Sequence, residues 1–212
     1  MPQRLNAQDF RSCASSISAG GETQISSNRR QNYQLGAVYD HNAQWSTDVT
    51  LFHSKVDDLI ERPDRRSSYQ NLSEVEFEGV ELATSVWLHD KYSGRLAYTY
   101  LDAAESSPDG GVRQLRSRAK HSVYGELQID MAYDLQLSLN ATYSDGLYDL
   151  DGDENHVKLA SYFLLHVKLM KQFSNNLGAY LSFSNLMDED YVHRLGYPRP
   201  GREARLGVTL KL

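Results

Sequence analysis

LQLSLNATYS, residues 135–144, puts Leu135, Leu137, Leu139, Ala141 and Tyr143 on one parity and Gln136, Ser138, Asn140, Thr142 and Ser144 on the other. Period two gives a strand one apolar and one polar face, whereas a helix would gather Leu135 and Leu139 and scatter Leu137. The same texture continues in both directions. Ala204, Leu206, Val208, Leu210 and Leu212 alternate with Glu203, Arg205, Gly207, Thr209 and Lys211, and from His121 to Met131 the polar parity holds Ser122, Tyr124, Glu126, Gln128 and Asp130. Extended along the chain, this reading predicts about nine strands, near 31–39, 45–56, 72–88, 92–102, 119–131, 135–143, 158–171, 177–186 and 203–212.

The connections carry as much information as the strands. Short ones (40–44, 89–91, 132–134, 172–176) alternate with long ones (57–71, 103–118, 144–157, 187–202). In an up-and-down meander every long loop then falls at one end of the sheet, the layout of outer-membrane barrels. Aromatic placement agrees. Tyr39, Trp45, Tyr92, Tyr133 and Phe173 fall at the short-turn ends, and Tyr98, Tyr100, Tyr143, Phe163 and Phe183 lie toward the long-loop ends on the apolar parity. Two aromatic rings separated by Leu, Val and Ala are what girdles at two lipid–water interfaces look like. One strand breaks the pattern: Glu74, Glu76 and Glu78 share a parity with Val80, Leu82, Val86 and Leu88, and the change at Gly79 predicts a bulge or a strand portion standing above the bilayer.

Composition excludes other classes. With 22 Lys+Arg against 28 Asp+Glu, the chain has no basic field for nucleic acid. No apolar run approaches the roughly 20 residues of a transmembrane helix. The lone Cys13 allows neither an internal disulfide nor a cysteine-rich zinc site. Residues 1–30 are polar and serine-rich, without a secretory apolar core, and are expected to be irregular or disordered. First and last strands would run in the same direction, so closing nine strands alone would pair them parallel, against the even antiparallel rule of single-chain bacterial barrels. The expectation is therefore an all-β, antiparallel up-and-down transmembrane barrel of which residues 31–212 form the C-terminal part.

Four stretches resemble one family: residues 50–60 (TLFHSKVDDLI), 77–83 (FEGVELA), 98–103 (YTYLDA) and 185–202 (NLMDEDYVHRLGYPRPGR). Their order and spacing are similar to the C-terminal barrel half of TonB-dependent outer-membrane receptors. That resemblance implies a 22-stranded barrel filled by an N-terminal plug, uptake of a scarce nutrient such as a ferric siderophore or cobalamin, and no covalent chemistry. It implies contact with TonB only through a plug, which is not visible in this chain, and contact with outer-membrane lipid and lipopolysaccharide. A truncated remnant without transport function is a second expectation, and a barrel protease a third that leaves the four stretches unexplained.

Arginines concentrate in the long loops: Arg62, Arg65 and Arg66, then Arg113, Arg116 and Arg118, then Arg194, Arg199 and Arg202. Opening onto a lumen, Arg62, Arg65, Arg66, Arg113, Arg116 and Arg199 are candidates to attract an anionic ligand; the alternatives are lipopolysaccharide phosphates or a role in shaping the loops. Asp149, Asp151 and Asp153 have the spacing of the first three calcium ligands of an EF-hand, but position 6 is Glu154 and position 12 is Ala160, leaving at most an irregular calcium site. Asp57 and Asp58 read as turn residues opening a loop. Seven histidines without HxxxH clustering, and the lack of a phosphate loop or nucleophile elbow, point to no zinc, cofactor or catalytic site.

Overall fold

A computed structural model of the protein describes residues 29–61, 69–106, 112–153 and 155–211. In chain order the strands are β1 (Arg29–Asn42), β2 (Trp45–Glu61), β3 (Gln70–Leu88), β4 (Tyr92–Ser106), β5 (Val112–Gln114), β6 (His121–Met131), β7 (Leu135–Asp145), β8 (Tyr148–Leu150), β9 (His156–Lys158), β10 (Tyr162–Gln172), β11 (Leu177–Ser184), β12 (Val192–Arg194), β13 (Tyr197–Pro198) and β14 (Glu203–Leu210). The main sheet runs β1-β2-β3-β4-β6-β7-β10-β11-β14, each strand antiparallel to the next, with β5 added beside the end of β4. These main-path strands are the nine that the alternation predicts.

The register sorts side chains into two faces, because directly opposed residues share one. Leu139 lies between Leu127 of β6 and Val167 of β10, and Leu181 lies between Leu169 of β10 and Leu206 of β14. Across β1, β2 and β3 the same face aligns Leu35 with Leu51 and Leu51 with Val80. The opposite face is polar: Asn140 stands opposite Glu126 and His166, and Ser182 opposite Lys168 and Arg205.

Connections at one end are short. Between β6 and β7 a three-residue loop, 132–134, joins Met131 to its partner Leu135, with Tyr133 and Asp134 both at positive φ, 64° and 53°. At the other end β5, the β8–β9 hairpin and the β12–β13 hairpin are built into the long connections. Among the described residues, two clusters of buried hydrophobic side chains lie at this end, each joining main-sheet strands to residues of the long connections. Val75, Ala103 and Leu115 form one; Leu147, Leu159, Tyr162 and Leu164 form the other.

Of the two expectations at Gly79, the bulge is not found: β3 keeps one register with β2 and with β4 on both sides of it. The residues change character while staying on the same face. Strand length explains this, since β3 has 19 residues where about 9–11 cross a bilayer. Asp57 and Asp58 also differ from expectation. They lie inside β2, which continues to Glu61, with Asp57 paired to Glu74 and Asp58 at a positive φ of 58°.

Candidate functional site

The apolar face is exposed, not buried. Leu35, Leu51, Leu206 and Val208 all lie among the exposed large hydrophobics, Leu206 at 78%. On β2, β3 and β4 the change from apolar to charged falls at one level: Leu51 gives way to His53, Val80 to Glu78, and Tyr100 to Asp102. Ion pairs begin there. Lys55 meets Glu74 at 2.5 Å, Lys120 meets Asp102 at 3.5 Å, and Lys158 meets Asp145 at 3.0 Å. The Lys158 ammonium donates to the Asp145 carboxylate and holds it below its usual range, while the lysine is raised by the same bond. At that level Tyr98 shares a hydrogen bond with His121 (2.9 Å), and the Lys120 ammonium lies 5.6 Å from the centre of the Tyr100 ring. A sharp apolar-to-ionic boundary crossing neighbouring strands marks a change of solvent, which a soluble sandwich would not impose on its outer face.

The opposite face is satisfied by polar contacts. Arg95 donates to Ser85 at 3.1 Å, and Tyr124 donates to Glu126 at 3.1 Å and to Asn140 at 2.9 Å. Two glycines on it lie under aromatic rings: Gly79 opposite Phe52, and Gly207 opposite Tyr180.

At the long-loop rim, the motif residues 185–202 form a knot. Asn185 is buried at positive φ; its side-chain oxygen accepts from Glu189 N (2.9 Å) and its amide donates to the carbonyls of Glu189 (2.9 Å) and Pro200 (3.3 Å). Asp188 accepts from the Arg202 backbone N at 2.7 Å and lies 3.6 Å from its guanidinium. A Cβ on Gly201 would come 2.8 Å from the Asp188 carboxylate. The Asn, Asp, Gly and Arg of this stretch therefore fix where β14 starts. Leu147, Leu159, Tyr162 and Leu164 then pack against Ala119, Tyr191, Val192 and Leu195, joining three loops through one apolar cluster. Tyr162 and His193 hydrogen-bond at 3.0 Å within it. Burial, and then the nearby Arg199, push the His193 imidazole below its ordinary value.

The arginines separate into different settings. Arg62, Arg65 and Arg66 lie outside the described residues. Arg113, Arg118, Arg194 and Arg199 are exposed at the rim. Arg202 serves the knot, and Arg116, only 12% exposed in its side chain, lies 4.0 Å from the buried Asp149. Asp149 also accepts from Leu195 N at 2.7 Å. Asp151 turns the other way, capping its own loop through Asp153 N (2.9 Å) and Asn155 N (2.8 Å). The three carboxylates with calcium-ligand spacing do not converge, and no group of three or more metal-binding side chains is assembled among the described residues. Asn185, His193 and Tyr162 are absent from the site residues that the sequence suggests. Asn185 opens the most specific of the four motifs, and that position is the signal by which it could be found.

An antiparallel wall with an apolar exterior, a polar interior and all elaborated loops on one rim is a β-barrel wall of the transport type. The chain belongs to the family described as TonB dependent receptor-like, beta-barrel, whose model it matches over residues 6–186. Members of this family are transporters, not enzymes. A relative, the vitamin B12 transporter BtuB of Photobacterium profundum, is 29% identical over 203 residues, covering 90% of this chain and 31% of the relative. Among solved structures, the ferric-catecholate import receptor Fiu of E. coli K12 has a TM-score of 0.67 at 19% identity, over 86% of this chain and 27% of that one. The FrpB iron transporter of Neisseria meningitidis has a TM-score of 0.69 at 16% identity, over 88% of this chain and 32% of that one. The chain thus spans about a third of the length of the relatives it matches.

Proposed function

We propose that the chain is the C-terminal part of the barrel of an outer-membrane TonB-dependent receptor that takes up a scarce nutrient, a ferric siderophore. The observation that carries this reading is the aligned boundary from apolar to ionic side chains on the exterior, combined with a rim of three interlocked loops bearing exposed arginines. On this reading the exterior belt faces lipid, and the ion-paired residues above it meet the lipopolysaccharide headgroups. The inner face lines the space around a plug, through which TonB would act. Arg113, Arg194 and Arg199 at the rim supply a positive field toward an anionic iron complex, by steering and charge-assisted hydrogen bonds. Arg62, Arg65 and Arg66 belong to the same proposal by their place in the sequence.

A second reading, cobalamin, is favoured by the 29% identity to a vitamin B12 transporter. The test is complementation by the full-length gene that contains this chain, in a strain lacking its own siderophore and cobalamin receptors. Growth on ferric siderophore as the iron source supports the first reading. Growth rescued by cobalamin alone moves the assignment to the second. Rescue by neither removes both.

A further inference from the structure

Asp149 is a carboxylate on β8 with a side chain only 3% exposed, buried together with its apolar neighbours Leu147 and Leu150. Two of its partners come from other connections. Leu195 N, from the β12–β13 connection, donates to Oδ2 at 2.7 Å. Arg116, from the β5–β6 connection, places Nη1 4.0 Å from Oδ1. Beside it, Ser117 N donates to the Tyr148 carbonyl at 3.0 Å. The apolar cluster of Leu147, Leu159, Tyr162 and Leu164 lies under the same junction, with Ala119 and Leu195 packed on it. Burying a carboxylate is costly unless hydrogen bonds and a counter-charge answer it, so these partners cannot separate without leaving the charge poorly compensated.

We propose that Asp149 is the keystone that locks the β4–β6, β7–β10 and β11–β14 connections into one block, and that Arg116 is a positioning residue for that lock rather than a ligand-contacting cation. The claim about Arg116 rests on the siderophore reading above; the claim about the block does not. With its guanidinium turned to Asp149, Arg116 acts on ligand only through the shape of the rim.

The Arg194–Leu195 peptide supplies a direct probe, because its own N–H is the one donated to Asp149. Trypsin attacks after Arg194, an exposed arginine, and cleavage of a folded protein follows the population of the locally opened state when reclosing is fast. In the full-length receptor in outer-membrane vesicles, Asp149→Ala should speed cleavage at this bond by roughly tenfold or more, and Asp149→Asn by less, since an amide oxygen still accepts from Leu195. Heat-modifiable migration reports that the barrel is folded; if the alanine variant does not fold, the isosteric asparagine variant carries the test. Cleavage equal to wild type in both variants would overturn the keystone.

Arg116→Ala should speed cleavage in the wild-type background and add nothing to Asp149→Ala, the signature of one shared contact. Binding of a ferric tris-catecholate complex, followed by quenching of intrinsic fluorescence, should show the same non-additivity. Additive losses would make Arg116 an independent ligand contact and overturn its assigned role. A wild-type receptor that binds neither this probe nor cyanocobalamin would sink the functional reading while the trypsin series still decides the keystone.

Discussion

Gly79 and Gly207 both lie directly opposite an inward-facing aromatic, yet they differ in what a methyl group would meet. At Gly207 the three nearest atoms to an added Cβ all belong to the Tyr180 side chain, which can swing aside. At Gly79 the added Cβ would meet Phe52 Cζ at 2.7 Å and also the backbone carbonyl of Tyr100, which cannot. Both glycine-to-alanine changes should destabilise the folded barrel by about 1–3 kcal/mol. Tyr180→Ala should rescue Gly207→Ala, and Phe52→Ala should not rescue Gly79→Ala; urea unfolding of the receptor in detergent checks the contrast. Histidine chemistry gives a second expectation at this scale. His193 is held below the ordinary imidazole value of about 6.5 by burial and then by Arg199. A lowered folded value means that the unfolded loop binds the extra proton more readily. The stability from neutral His193 is therefore complete above that ordinary value and is lost as pH falls toward the folded one. Cleavage of the last loop by an acid-tolerant protease should rise on acidification, and His193→Gln should flatten the profile. That Gly79 marks a change along its strand was legible in the sequence, because its neighbours already read as a strand whose residues switch from Glu to apolar there. The histidine and Asp149 were not, because Tyr162 lies 31 positions from His193 and Leu195 lies 46 from Asp149, beyond any local pattern.

Strands proved legible wherever alternation runs long enough to repeat. β7 carries its apolar residues at every second position along the strand, and its register places Leu137, Leu139, Ala141 and Tyr143 opposite apolar or small neighbours on both sides. The short strands β5, β8, β9 and β12, each of 3 residues, hold barely one period and so leave no signal. The ends of β2 and β4, which run to Glu61 and Ser106, were hidden for another reason: beyond Leu51 and Tyr100 the outer face becomes charged, which in sequence resembles a loop rather than a strand leaving an apolar solvent. The two faces of β7 can be separated by one pair of substitutions. Leu139→Arg places a charge between Leu127 and Val167 on the exterior, where a lipid midplane should cost roughly 2–4 kcal/mol. Asn140→Arg points inward, opposite Glu126, and loses the Tyr124 hydrogen bond of 2.9 Å, a cost of about 1 kcal/mol. The fraction of folded, heat-modifiable receptor measures both, and equal losses would mean that the faces are assigned wrongly.

For the molecule as a whole, the sheet order alone determines which end each loop occupies. Every neighbour on the main path is antiparallel, so β8–β9 and the β12–β13 connection share an end with β5, while the turns after β6 and after β10 share the other. That arrangement was readable from loop lengths before any contact was known. The joining of three loops was not, because it depends on side chains far apart in the chain, such as Ala119, Leu147 and Leu195, that meet only in the folded structure. Orientation in the membrane is then a single choice for the entire chain, and two positions test it. Gly152 lies in the β8–β9 hairpin with open space around it, and Asn175 lies in the turn between β10 and β11. In a full-length receptor carrying Cys13→Ser, a cysteine at Gly152 should react with a membrane-impermeant maleimide on intact cells, and one at Asn175 should react only after the outer membrane is permeabilised. The opposite pattern would invert the barrel and place the arginine-bearing loops in the periplasm, where they could not meet an extracellular iron complex. Labelling of both positions on intact cells would mean that the two ends are not separated by a membrane at all, and the lipid-facing assignment of Leu35, Leu51 and Leu206 would fall with it.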